Sequence, residues 1–340
     1  MKVAVGLSGG VDSAVAAYLL REQGYEVMGI TLLLKPGESD ADVSDAIAVA
    51  RSLGIEHKIL DRRDLFREKI INPFADEYVN GRTPNPCIEC NQVIKFGTML
   101  DYALENGCDK LATGHYAACE FTDGRYLLKK SDSPKDQSYF LYRLNEFQLS
   151  KIIFPVTVKD KEDTRQTAQQ AGIPVADKKD SLEICFVPDD NYVGYLASIG
   201  ITSPAGNIIS KDGTVMGKHS GIINYTVGQR KGIGAYGRPM FVTDINASDN
   251  TVTIGDNGEQ YSSSLTADRV SFIGDVPTEP FRAEVKIRFR AKQVSALVTP
   301  FEGGFTVDFD EPQRSATPGQ SAVIYDGDTV LGGGRIISKK

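Results

Sequence analysis

Gly6-Leu7-Ser8-Gly9-Gly10-Val11-Asp12-Ser13, directly after the apolar run Val3-Ala4-Val5, decides how the first third of the chain folds. An apolar strand, a turn of small residues and a helix-forming segment (Ala14 to Gln23, stopped at Gly24) follow one another, as in an open parallel sheet. Gly9 and Gly10 let backbone approach an anion closely. Amide N–H groups at the start of the helix then point at it, with the positive end of the helix dipole behind them. The stretch reads as a phosphate cradle. It is not a Walker loop, because no lysine follows the glycines. Gly6-x-Ser8-x-Gly10 also satisfies the nucleophile elbow of α/β-hydrolases. That reading needs a downstream acid and histidine, only His57, His115 and His219 exist, and an elbow on the first strand would be unusual. A purely structural glycine turn is the bland alternative.

Outward from the loop, strand-like and helix-like stretches alternate. Val3–Val5, Val27–Leu34, Glu56–Leu60 and Lys110–Thr113 read as strands, and Ala14–Gln23, Val43–Leu53 and Gly97–Glu105 as helices. The alternation predicts an α/β fold with a parallel sheet and a ligand site at the carboxyl ends of its strands, where Gly6–Ser13 and Thr113-Gly-His-Tyr116 both fall. From about Ile201 helical periodicity disappears. Gly221–Val227, Met240–Ile245, Thr251–Ile254, Ala283–Phe289, Ala296–Thr299, Gly304–Phe309 and Ser321–Tyr325 read as short strands between Gly and Pro turns, hence a small central domain and a C-terminal antiparallel β-barrel. The expected division is 1–200, 201–265 and 266–340. Gly232-Ile-Gly-Ala-Tyr-Gly237 satisfies G-x-G-x-x-G, but Arg238-Pro239 and a β-like run follow it where a dinucleotide site needs a helix, so it is expected to be a loop.

The 340 residues are 41% hydrophobic and 24% charged, ordinary for a soluble globular protein. The N-terminus starts as a strand without a basic leader, and no stretch approaches the ~20 apolar residues of a membrane span, so a cytoplasmic protein is expected. Five cysteines (87, 90, 108, 119 and 185) then read as reduced thiols rather than a disulfide framework. Net charge is −7, which argues against indiscriminate nucleic-acid binding. One segment departs from that average. In Arg282–Lys292 the cations Lys286, Arg288, Arg290 and Lys292 alternate with Val285, Ile287, Phe289 and Ala291, which predicts a strand with one basic face suited to a phosphate backbone.

The densest constellation is Gly81-Arg-Thr-Pro-Asn-Pro-Cys87-Ile-Glu-Cys90-Asn-Gln-Val-Ile-Lys95-Phe96. Pro84 and Pro86 predict extended backbone ahead of a C-x-x-C pair, which could be a redox couple, half of a metal site, or a nucleophile beside a ligand. Cys185 stands in Lys178-Lys-Asp-Ser-Leu-Glu-Ile-Cys-Phe-Val187, where lysines are expected to lower its pKa. Cys108 and Cys119 read as core residues.

The S-G-G-x-D-S loop resembles that of the PP-loop ATP pyrophosphatases, and the chain as a whole resembles the tRNA-specific 2-thiouridylases. The likeness rests on six segments in family order: the loop, the N-P-x-x-x-C-N-x-x-I-K-F run around Cys90, Ala112–Tyr116, Lys135–Tyr139, Ile184-Cys-Phe186 and Tyr225–Gly234. It implies ATP with magnesium at Gly6, Leu7, Ser8, Gly9, Gly10, Val11, Asp12, Ser13, Leu32 and Gly114. It implies Cys90 and Cys185 as the catalytic pair, with Cys185 carrying a persulfide. Asn85, Pro86 and Cys87 would lie beside the target base, and His115, Lys135, Asp136, Gln137, Arg288, Phe289 and Gln320 would touch tRNA. The partners implied are tRNA and a sulfur-donor protein, with the enzyme a monomer. The activity implied is 2-thiolation of a wobble uridine: ATP adenylates the C2 oxygen, and sulfur then displaces AMP. Cys87 departs from the aspartate many members carry. Two readings stay open: Cys87, Cys90 and Cys185 as ligands of an iron–sulfur cluster, or Cys87 as a spectator. A PP-loop enzyme adenylating a small molecule is the alternative activity.

Overall fold

The computed structural model describes residues 1–157, 160–178 and 184–340. The first part of the chain contains β1 (Lys2–Gly6), α1 (Val11–Glu22), β2 (Glu26–Leu33), α2 (Ser44–Leu53), β3 (Glu56–Asp61), β4 (Lys110–Ala112), β5 (Ala118–Thr122), β6 (Arg125–Lys129) and β7 (Ile152–Ile153). Val3, Ala4 and Val5 are fully buried, as a strand covered on both faces requires, and β1 takes the centre of a parallel sheet ordered β3-β2-β1-β4-β7. The chain leaves β1 toward β2 on one side and reaches β4 on the other. The crevice over the carboxyl ends of β1 and β4 is therefore the switch point of the sheet. Small residues on α1 (Ala14, Ala16, Ala17) let it lie against Val3 and Val5, and Gly54 caps α2 in the left-handed region at φ 62.

Beyond this sheet, β8 (Gly206–Ile209), β9 (Val215–His219), β10 (Met240–Asn246) and β11 (Thr251–Asp256) form a four-stranded sheet in the order β10-β11-β8-β9, around Ile208, Val242, Val252 and Ile254. The remaining strands are β12 (Tyr261–Phe272), β13 (Phe281–Lys286), β14 (Val294–Phe301), β15 (Gly304–Arg314), β16 (Ser321–Asp326) and β17 (Thr329–Lys339). They run in the order β12-β15-β14-β13-β16-β17, and a β12–β17 pairing closes them into an antiparallel barrel filled by Ala267, Val285, Val298, Phe305, Val307, Ile324 and Ile336. The β5–β6 hairpin, although it belongs to the first part of the sequence, pairs with β17 through Lys129↔Thr329 and Leu128↔Val330. The fold is thus α/β with a parallel-sheet domain, a small central domain and a C-terminal barrel.

Three local expectations are corrected. The helix expected at Gly97–Glu105 starts earlier: Pro86–Glu89 opens it, Cys90–Met99 continues it as a π-helix, and Leu100–Glu105 closes it. Pro86 occupies the first turn, where its missing N–H costs nothing, so the proline read as holding the cysteines extended begins the helix that carries them. Gly221–Val227 is not a strand; Ile222–Asn224 is a short 3-10 turn. The basic strand ends at Lys286. Val285 pairs with Val294 in an antiparallel hairpin, so the chain must reverse between them, and Arg288, Arg290 and Lys292 are exposed on that turn while Ile287 is buried. Gly232–Gly237 is a loop, as expected. Cys108 is buried in the core, and the Cys119 thiol donates to Leu149 O at 3.4 Å. Among the described residues no helix is long and apolar enough to cross a membrane.

Candidate active site

The phosphate loop is shaped from within. Gly9 sits at φ +70, and a Cβ there would stand 3.0 Å from Asp45 Cβ, so the position demands glycine twice over. Ser8 N donates to Ser13 Oγ at 3.2 Å, and Ser13 Oγ donates to Gly10 O at 3.0 Å. Gly10 caps α1 without any side-chain hydrogen bond, which leaves the first-turn N–H groups available to a ligand. From the sheet side, Leu7 N donates to Ile30 O at 2.7 Å and Leu7 O accepts from the Thr31 hydroxyl at 2.8 Å. That hydroxyl lies 2.8 Å from His57 Nε2. His57 is a brace under the loop.

The loop has no cation of its own, yet two lysines reach it from far along the chain. Lys161, at the start of helix Lys161–Gln170, donates from Nζ to Asp12 Oδ1 at 2.6 Å; Tyr116 OH donates to the same oxygen at 2.9 Å. Lys178 Nζ donates to Gly9 O at 3.1 Å and to Asp45 Oδ2 at 2.5 Å. Each lysine reaches the loop paired with a carboxylate, Lys161 with Asp12 and Lys178 with Asp45.

Beyond β4 the chain crosses beneath α1. A Cβ on Gly114 would lie 2.6 Å from Asp12 C and from Ser13 N, so Gly114 is in direct backbone contact with the loop. The next residue, His115, is 2.8 Å from Thr113 Oγ1 through Nδ1 and 3.4 Å from Lys95 Nζ through Nε2. Lys95 can only donate, so Nε2 accepts and the Nδ1 proton goes to Thr113. Burial, and to a smaller degree Lys95, push the His115 pKa well below the ordinary imidazole value, so it is neutral at physiological pH.

Lys95 is the hub. Its charge also acts on Cys87, Cys90 and Cys185, and a thiolate at Cys185 would act on both of the others. The three cysteines thus share one electrostatic neighbourhood, contiguous through Lys95, His115 and Gly114 with the phosphate loop. Cys90 is 7% exposed and packs among Phe66, Phe74, Ile94 and Phe186; Cys87 is half-buried and Cys185 is exposed. Burial dominates Lys95 in every case. It pushes the Cys90 thiol up to about 12 and the Cys87 thiol up to about 11, and the protein around Cys185 raises that thiol too. The expectation that lysines lower the Cys185 pKa is therefore corrected in its net sign. Lys178 is engaged on the loop instead, and Lys179 and Asp180 lie outside the described residues, as does Lys159. Among the described residues, no group of three or more His, Cys, Asp or Glu side chains is disposed to hold a metal ion. A cluster on Cys87, Cys90 and Cys185 would need all three as thiolates, the form that burial disfavours at Cys87 and Cys90.

The other expected residues divide. Leu32, at the carboxyl end of β2, packs against the cluster containing Cys90. Asn85 and the buried Pro86 start the cysteine helix. Gln320, from the barrel, donates to Thr83 O at 2.9 Å and Pro84 O at 3.4 Å, and Thr83 N donates to Pro318 O. The barrel therefore holds the segment that leads into Asn85. Asp136 accepts from Ser131 N and Ser138 N, and Gln137 exchanges hydrogen bonds with the Tyr116 backbone, so both brace the chain behind Asp12. Lys135 and Arg288 are exposed, and the Phe289 ring lies 4.5 Å from that of Phe140, tilted by 35°. Sequence reasoning missed Lys95, Lys161 and Lys178. Lys95 carried one signal: it is the sole cation between Arg82 and Lys110.

Three family models tile the chain: the tRNA methyl transferase HUP domain over residues 1–189, the tRNA methyl transferase PRC-barrel domain over 194–256, and the aminomethyltransferase beta-barrel domain over 262–336. The tRNA-specific 2-thiouridylase MnmA of Acetivibrio thermocellus is 48% identical across 98% of this chain and 99% of its own. A second such protein, from Caldanaerobacter subterraneus subsp. tengcongensis, is 46% identical across 100% of this chain and 98% of its own. A solved NMN synthetase from Francisella tularensis aligns over 57% of this chain and 76% of its own, at 18% identity and a TM-score of 0.36.

Proposed function

The chain belongs to the tRNA-specific 2-thiouridylase family, and on that premise we propose that it exchanges the C2 oxygen of the wobble uridine of tRNA for sulfur, consuming ATP. The observation that carries this reading is the continuity of the phosphate loop with the three cysteines through Gly114, His115 and Lys95.

A uridine C2 carbonyl has no leaving group, so its oxygen must be activated first. The oxygen attacks the α-phosphorus of ATP, an O–P bond forms, and the bond to pyrophosphate breaks. Charge accumulates on the departing pyrophosphate, where the open N–H groups of α1 and the ammonium groups of Lys161 and Lys178 are positioned to meet it. Asp12 is the carboxylate the loop would offer to a magnesium ion carried by the triphosphate. The terminal sulfur of a persulfide on the exposed Cys185 then attacks C2, and AMP leaves with the former carbonyl oxygen. Attack by the Cys90 sulfur on Cys185 Sγ releases the thiolated base and leaves a Cys90–Cys185 disulfide, which an external dithiol reduces. The target base must leave its stack to reach both ATP and sulfur. A donor protein loads Cys185, and the enzyme acts as a monomer.

The test is mass spectrometry of tRNA incubated with the protein, ATP, magnesium and a persulfide donor. An oxygen-to-sulfur mass gain is expected for the wild type and lost in Cys90→Ser and Cys185→Ser, whereas tRNA-dependent AMP release survives in Cys185→Ser when hydroxide replaces sulfur at C2. Thiolation that persists in both variants overturns the scheme. ATP cleavage indifferent to tRNA would favour a small-molecule substrate.

A further inference from the structure

A cleft lies where helix Asn72–Val79, the start of the cysteine helix and the barrel meet. Lys69, Arg143, Arg269 and Arg335 line it, against two carboxylates, Glu77 and Glu89. Those carboxylates are already engaged: Glu89 with Arg143, and Glu77 with both Arg82 and Arg335. Arg335 is satisfied further by Asp268.

Two features of this cleft are left unexplained by folding alone. Arg143 Nε is buried without a hydrogen-bond acceptor, a costly state that an incoming acceptor would relieve. Arg269 is one of few non-glycine residues with positive φ, at 48°, in a bulge where the β12–β17 register shifts between Asp268 and Ser271. Its exposed guanidinium makes no hydrogen bond or ion pair among the described residues. A glycine would hold that backbone at less cost. The bulge sets a free cation on the wall of a cleft in which Arg143 Nε also lacks an acceptor. Asn85 and Pro86, at the head of the cysteine helix, form part of the same wall.

We propose that this cleft seats a backbone phosphate of the RNA strand, with Arg269 and Arg143 as its ligands, and so registers the neighbouring nucleotide against Asn85. The inference rests on the tRNA reading above and adds to it a second anion site, separate from the loop that takes ATP. Phosphate contacts set the position of a strand without reading its sequence, which is the task this wall requires.

The test compares tRNA binding by the full chain and its Arg269→Gly and Arg269→Lys variants across a salt series, with thermal unfolding in parallel. For Arg269→Gly the affinity falls at each salt concentration, and the slope of log K against log salt is shallower by about 0.7–0.9, one phosphate contact. Its Tm is equal or higher, because the strain is gone. Arg269→Lys keeps the wild-type slope. An Arg269→Gly protein with wild-type affinity and slope overturns the proposal. So does an Arg269→Gly protein that loses affinity for inorganic phosphate while its tRNA slope is unchanged, since the cleft would then take a free anion. A wild-type protein that binds no tRNA overturns the functional reading itself, and this inference with it.

Discussion

Gly114→Ala tests whether the segment after β4 sets the position of the phosphate loop. The added methyl would stand 2.6 Å from Asp12 C and from Ser13 N, and 2.9 Å from Asp12 O. None of these is the far end of a flexible side chain. All three are backbone at the first turn of α1, whose Ala14, Val15, Ala16 and Ala17 are packed to 1% exposure or less. To reach an ordinary 3.4 Å contact, loop and methyl must separate by about 0.8 Å. The helix cannot retreat into a filled core, so the loop moves, and its N–H groups move with it. A displacement near 1 Å at a reacting centre costs about 100-fold in rate, while overpacking of this kind costs about 1–3 kcal/mol of stability. Measured as tRNA-dependent release of pyrophosphate, Gly114→Ala should lose about two orders of magnitude in kcat with a Tm only a few degrees lower. Activity within threefold of wild type at an unchanged Tm would show that the loop is not backed by this contact.

Three further outcomes follow from charge and burial. Lys161→Ala should lower kcat for adenylation roughly 100-fold, with a smaller change in KM, because its charge meets pyrophosphate as that group departs; Lys161→Arg should recover part of the loss, and a variant changed only in KM would make Lys161 a simple binding residue. With the Cys90 thiol near 12, only about one molecule in ten thousand carries the thiolate at pH 8, so alkylation followed by peptide mapping should label the exposed Cys185 first, with Cys90 labelling rising about tenfold per pH unit. The same burial makes the folded state hold protons that the unfolded chain releases near pH 9. This stabilisation is complete below that pH and is lost as pH climbs through 11 to 12, so Tm should decline above pH 9 less steeply in Cys90→Ala.

The middle of the parallel sheet was legible because Val3–Val5 and Val27–Leu33 are apolar runs beside glycines, the pattern that burial on both faces demands, whereas β7, two residues long, carried no such signal. The barrel was legible as a change of texture, but its basic stripe misled. Alternation of charge over Lys286–Lys292 looks the same whether a strand continues or a turn tucks Ile287 inside, and only the pairing of Val285 with Val294 decides. Lys95 was hidden for a different reason. On an α-helix, residue i+5 points about 140° away from residue i, so nothing in the sequence sets Lys95 beside Cys90; in the π-helix Cys90–Met99, i and i+5 are hydrogen-bonded neighbours. Lys161 and Lys178 lie about 150 residues or more from the loop they serve, beyond any local pattern.

The pairing of the β5–β6 hairpin with β17 has a consequence for how the chain is made. Lys129 meets Thr329, two hundred residues later. At about 5–20 residues per second of synthesis, the hairpin waits roughly 10–40 s for the strand that completes it. During that interval β6 offers a bare edge, beside a ring, Phe121, that stays 61% exposed even in the finished fold. The catalytic half therefore leaves the ribosome with an open seam, and chaperone demand in the cell should track the time between its emergence and that of the last strand.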